Sequence, residues 1–194
     1  MPFPDEMQHG VVVSDYQLQW PVEFTEIAAT LQTTLGNLAL TIDHIGSTSV
    51  PSLPAKDCID IMVRVRSAAD GRLTERMAEI GFRLRPETWN RIEISNGVEC
   101  RKLVFAPPVG ARTCNVHVRE AGAANMRYCL LFRDYLRADE RARTGWGNFK
   151  QRLAQTVTDI FDYGQIKAPA TEVLMTGAER WATTTAWAGD SLPA

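Results

Sequence analysis

Along this chain the spacing of apolar residues changes twice, dividing it into a leading helix, a run of strands and a helical C-terminal third. After a proline-rich start, Val11-Val12-Val13 reads as a short edge strand. From Pro21 onward, Phe24, Ile27, Ala28, Leu31 and Leu35 recur at helical spacing, and Gly36 falls just past them, where a left-handed cap favours a residue without a Cβ. Strands are expected at 38–45 and 58–65, the second rich enough in apolar residues to be central, with Asp60 as the one charge that looks buried. Leu73, Met77 and Ile80 mark a short helix ending at Gly81, and further strands are expected at 82–84, 91–95, 101–105 and 113–119. The helical period returns at Asn125: Tyr128, Leu131, Phe132 and Tyr135 share one face, then Trp146, Phe149, Leu153 and Ile160 share another. A last helix holds Val173, Leu174, Ala178 and Trp181, and 189–194 reads as a tail. The pattern predicts an α+β layout: a helix, mixed strands, then a helical C-terminal third.

Composition adds limits. A chain of 194 residues fits a single domain, here with its core at about 11–182, and 45% hydrophobic with 23% charged residues is the balance of a folded globular protein. The formal net charge of -2 provides no excess of cations for nucleic acid backbones, so nucleic acid is not an expected partner, while a local basic pocket stays open. No apolar run approaches the roughly 18 residues needed to span a bilayer, and the N-terminus lacks a basic region followed by an apolar stretch, so a cytoplasmic location is expected. Cys58, Cys100, Cys114 and Cys129 form no Cys-x-x-Cys pair and are expected to be buried, reduced thiols rather than zinc ligands.

Chemistry concentrates in the stretch from Asp43 to Asp60: a strand, a Gly46-Ser47-Thr48-Ser49 turn, a loop stiffened by Pro51 and Pro54, and a second strand. Glycine lets backbone approach an anion closely, the turn can aim N–H groups at it, and Ser47, Thr48 and Ser49 add hydroxyls. Lys56 can add positive charge, and Asp60 can face the same cleft and hold a divalent metal that bridges to phosphates. The same spacing also suits a structural loop followed by a hydrogen-bonded aspartate.

The run His44-Ile45-Gly46-Ser47-Thr48-Ser49-Val50-Pro51, followed by Leu53, Ala55-Lys56 and Ile59-Asp60-Ile61, resembles the signature of the GrpB family. Tyr16, Trp20, Asn115-Val116-His117-Val118, Leu131 to Arg137, Tyr163, Lys167, Ala178 and Trp181 extend the likeness over about 11–182. The resemblance implies a nucleotidyltransferase-like fold, a mixed sheet flanked by helices, in which a Gly-Ser turn binds a nucleoside triphosphate and strand acids hold magnesium; the first reading is an enzyme that transfers a nucleotidyl or phosphoryl group to a small acceptor. Some relatives are fused to dephospho-CoA kinase. One position departs: nucleotidyltransferases usually carry a second acid two residues after the first, and here it is Met62. Glu93, Glu99 and His117 are the candidates to replace it. Two other readings stay open, a non-catalytic module for a nucleotide or CoA-type cofactor, and an enzyme of specialised metabolism that reuses the cleft with His117 as base.

His117 shares a strand face with Asn115 and Arg119 and can ligate a metal, act as general base, or simply be a hydrogen-bonded strand histidine. His44 is expected to fix the turn through a backbone hydrogen bond, and His9 to be an exposed tail residue. Arg133, and less so Arg137, can reach the cleft from their helix; Lys102 and Arg119 can complement an anion from neighbouring strands. Trp20, Trp146 and Trp181 fit core anchoring, and Tyr163 and Lys167 can close the site from the C-terminal helices.

Overall fold

The computed structural model describes residues 3–6 and 10–189; His9 and the end of the expected tail lie outside them. Helix α1 (Gln19–Leu35) stops at Gly36, whose φ of 54° is the positive value expected there. Strand β1 (Thr41–Ile45), a 3-10 turn (Ser47–Ser49) and β2 (Ile59–Val65) follow, then α2 (Gly71–Glu79) and β3 (Arg83–Leu84). Next come β4 (Ile92–Ser95), β5 (Val98–Ala106) and β6 (Cys114–Glu120), and then α3 (Ala124–Ala138), α4 (Glu140–Thr156) and α5 (Ile160–Thr185). The strand order is β1-β2-β6-β5-β3, with β4 hydrogen-bonded to β5. Only β2 and β6 run parallel, so the sheet is mixed, and helices cover it.

Alternation along the central strands gives the sheet two unlike faces. Ile59, Ile61, Val63, Val116, Val118 and Phe105 point to one side and pack with Trp20, Leu31, Leu73 and Met77 of α1 and α2. Burial of each such side chain contributes about 1.5–3 kcal/mol, so this layer is the main anchor of the sheet. The other side carries Asp60, Met62 and Arg64 from β2 beside Asn115, His117 and Arg119 from β6, in register across the parallel pair. Helices α3 to α5 roof this polar face: Leu130 of α3 packs on Ile45 and Met62, and Leu131 of α3 packs on Met175 and Ala178 of α5.

Several expectations change. Val11–Val13 forms no strand; the segment makes one bridge, Ser14 to Ala55, and Pro54 next to it has no N–H to extend a ladder. Strand β5 begins at Val98, earlier than expected, because Asn96 and Gly97, with φ of 50° and 74°, close a tight hairpin between β4 and β5. Ile160 does not continue the face of Trp146, Phe149 and Leu153. The helix ends at Thr156, and Asp159 starts α5 by accepting hydrogen bonds from Phe161 N and Asp162 N at 2.8 and 2.9 Å. Helix α5 then runs unbroken through Pro169 to Thr185, and Trp187 packs back toward Trp181. All four cysteines are unpaired, with Cys58 and Cys129 only half-buried. Among the described residues no helix is long and apolar enough to cross a membrane.

Candidate functional site

The turn after β1 is shaped by one contact. Gly46 has φ 68° and ψ -169°, and a Cβ built on it would stand 2.5 Å from Asp60 Oδ2, so both backbone and space require glycine. Ser49 Oγ donates to Gly46 O at 2.6 Å and closes the turn from within. His44 meets Thr48 through a side-chain contact, Nε2 to Oγ1 at 3.0 Å, rather than the backbone bond expected. Its ring stacks on Phe24 at 4.7 Å, and burial draws its pKa down to about 4. Two arginines of α3 grip the turn's carbonyls: Arg133 Nη1 donates to His44 O at 3.4 Å, and Arg137 Nη2 to Ser49 O at 2.8 Å.

Beneath the turn lies a cavity of about 350 Å³. Gly46, Ser47, Thr48, Lys56, Asp60 and His117, all anticipated from the sequence, line it together. Ser49 is buried behind the turn. Lys102 and Arg133 are not among the lining residues: Lys102 Nζ donates to Glu93 at 2.6 Å, and Arg133 sits between Asp134, at 2.7 Å, and Asp43. Glu93 is also held by Arg119 and Asn125, Glu99 is exposed on β5, and neither lines the cavity.

Cations surround the single lining carboxylate. Lys56 and Lys167 approach the ring of Tyr163 at 5.7 and 5.8 Å, and Lys150 lies between α4 and the proline loop with Nζ donating to Pro54 O. Lys150 is 2% exposed, and burial, then the charge of Lys167, draws its pKa down to about 6. Lys167 is lowered too, by burial and by Lys56. For Asp60, burial acts upward, but His117 and the Asn115 bond outweigh it and hold the group below the usual carboxylate range. His117 Nε2 stands 3.7 Å from Asp60 Oδ1, and burial lowers its pKa, so the imidazole is neutral near pH 7. Burial, aided by Asp60, pushes the Cys58 thiol up and keeps it unreactive. Two lining donors, Arg119 Nη1 and Trp146 Nε1, are buried and have no partner among the described residues.

Lys150 was not anticipated from the sequence. Its signal was present: Trp146, Lys150 and Leu153 fall on one helical face, a cation inside an apolar stripe.

A family model described as GrpB protein matches residues 10–176. The chain belongs to the GrpB family. The crystal structure of the conserved protein GrpB from Enterococcus faecalis superposes with a TM-score of 0.72 at 28% identity, covering 88% of this chain and 99% of that one. A UPF0157 protein of Halalkalibacterium halodurans is 32% identical over 149 residues, 75% of this chain and 70% of its own length. A dephospho-CoA kinase of Mycolicibacterium paratuberculosis is 33% identical over 187 residues, 87% of this chain but 46% of its own length, so the chain spans about half of that relative.

In this GrpB chain the position of a second strand acid is filled by Met62, fully buried against Ile45 and Leu130. A carboxylate there would face an apolar cluster, not the cavity. Among the described residues, no group of three or more His, Cys, Asp and Glu side chains stands close enough to hold a metal. Asp60 is the one carboxylate among the lining residues that could hold a hard cation.

Proposed function

We propose that this chain binds a nucleoside triphosphate in the cavity beneath the Gly46 turn and transfers a nucleotidyl group to a small acceptor. One observation carries the reading: Lys56, Lys150 and Lys167 converge on a cavity whose wall is the Gly46-Ser47 turn and whose single carboxylate is Asp60. Four basic side chains, Lys56, Arg119, Lys150 and Lys167, line the cavity against one carboxylate, and a polyphosphate would supply the negative charge that lets Lys150, neutral near pH 7 without it, take up its proton.

In this reading Ser47 and the turn hold the terminal phosphates, and the lysines neutralise the charge that grows on the departing pyrophosphate. Thr48, its hydroxyl engaged by His44, keeps the turn in shape. Asp60 would hold magnesium, which when bound would neutralise charge on the phosphates. The acceptor hydroxyl forms a bond to the α-phosphorus as the bond to the bridging oxygen of the β-phosphate breaks, and pyrophosphate leaves with that oxygen. The acceptor's proton passes to His117, whose neutral imidazole is a competent base.

A second reading, binding without transfer, is favoured by the burial of Met62 where a second acid would stand. Thermal-shift and calorimetric titrations with ATP, CTP, GTP, UTP and CoA, each with and without magnesium, separate the two. Transfer requires a magnesium-dependent response that Asp60→Asn removes without unfolding the protein; a response indifferent to magnesium favours binding alone. Ser47→Ala is expected to weaken triphosphate binding roughly tenfold, the loss of one charge-assisted hydrogen bond. Unchanged affinity in that variant would remove the turn from the site.

A further inference from the structure

A second hollow of about 520 Å³ adjoins the first, and Lys56, Cys58, Asn115 and His117 line both. Trp89, Val104 and Arg85 line the second alone. Arg85 is 8% exposed, and its guanidinium grips the Glu6 carboxylate through two parallel bonds, Nη1 to Oε2 at 3.0 Å and Nη2 to Oε1 at 2.8 Å. The same Nη2 donates to Asn115 Oδ1 at 3.0 Å, and Asn115 Nδ2 donates to Asp60 Oδ1 at 3.2 Å. A guanidinium cannot accept and a carboxylate cannot donate, so the Asn115 amide is fixed one way round, linking Arg85 to the carboxylate of the first cavity.

Glu6 belongs to a short N-terminal segment laid over strand β3 and the residue after it. Asp5 pairs with Arg83 at 2.7 Å, and the Phe3 ring lies 4.5 Å from the Arg83 guanidinium. Only Glu6 of this segment enters the hollow. It brings a carboxylate to a planar, two-pronged receptor one residue away from the group that would do chemistry.

We propose that the second hollow is the acceptor site, that it selects small carboxylic acids through Arg85, and that Glu6 is the chain's own carboxylate standing in the acceptor's place. The term acceptor rests on the transfer reading above; the carboxylate receptor does not. Arg85 makes and breaks no bond. It positions the acid so that its nucleophilic group passes Asn115 and His117 toward the first cavity, while the apolar sides of Trp89 and Val104 flank its body. With Glu6 withdrawn, the carboxylate left in the hollow is Asp57, already engaged by Trp20 Nε1 and Arg112 Nη2, so Lys56 and Arg85 suit the hollow better to an anion than to a neutral molecule.

The test titrates benzoate, and benzamide as its neutral counterpart, in the absence of nucleotide and magnesium. Benzoate is expected to raise the melting temperature of Glu6→Gln and Glu6→Ala proteins, and in the unaltered protein to speed amide exchange across 10–14 as Glu6 is displaced. Benzamide is expected to do neither. Arg85→Lys, which keeps the charge and loses the fork, should bind benzoate at least tenfold more weakly. The proposal is overturned if benzamide acts like benzoate, if the response survives in Arg85→Lys, or if the unaltered protein ignores benzoate while the Glu6 variants respond, since the pair would then be a structural ion pair only. ATP binding by the unaltered protein, with magnesium, is scored separately. A benzoate response without any ATP binding would sink the transfer reading and keep the carboxylate site, and ATP binding without a benzoate response would do the reverse.

Discussion

Gly46 and Asp60 touch because one of them has no side chain, and the consequences can be measured residue by residue. Gly46→Ala must leave a φ, ψ region that is essentially glycine's own and must also push a methyl against a carboxylate oxygen, so it is expected to lose at least about 2 kcal/mol, read as a lower urea midpoint. A variant as stable as the parent would show that the turn can re-form elsewhere. Lys150 has a different signature. The folded protein keeps this amine neutral down to about pH 6, whereas the unfolded chain binds the proton below its ordinary 10.5. Between those values the unfolded state carries more protons, so stability should rise with pH across the window. Lys150→Met should flatten that rise and weaken triphosphate binding together; urea titrations at several pH values show the first, calorimetry the second. An unchanged slope in the variant would mean that the amine is charged in the folded state.

Elements set how far apart these residues can drift. Lys167 and Tyr163 ride on α5, whose first turn depends on Asp159 as its cap. Asp159→Ala is expected to cost about 1 kcal/mol and to lower triphosphate affinity by more than the stability change alone explains, because the start of the helix would fray where it meets the ligand. Unaltered affinity would show that Lys167 is held by packing further along. The strand-turn-strand unit was legible in the sequence because a sheet alternation, a glycine with no room for a Cβ and a lone aspartate all fall within 20 residues of one another. The boundary between α4 and α5 was not, since Ile160 continues the apolar period of Trp146, Phe149 and Leu153 and only the cap at Asp159 interrupts it. Val11–Val13 misled for the opposite reason: three β-branched residues suit a strand, but its neighbour is a proline loop that cannot complete a ladder. Lys102 and Glu93 were each read as candidates for the cleft and instead satisfy one another, a pairing of long side chains that no single-strand pattern contains.

At the scale of the whole molecule the proposed site is a seam. Asp60, Asn115 and His117 stand on the sheet, the turn joins its first two strands, and Lys150 and Lys167 come from the helical roof. A ligand that bridges these layers should stabilise both as one: at a hundredfold excess over its dissociation constant, ATP with magnesium is expected to add about 2.7 kcal/mol to unfolding. Lys167→Met should lose most of that gain, measured against its own ligand-free stability, and an undiminished gain would place the phosphates away from the roof. Because the roof follows the sheet along the chain, synthesis order matters. When the ribosome has finished β6, the nascent chain already owns its turn and its carboxylate, yet none of the roof lysines. Fragments released at that point would gather no polyphosphate, and competence would arrive abruptly, within the roughly 1–5 s of translation that delivers α5.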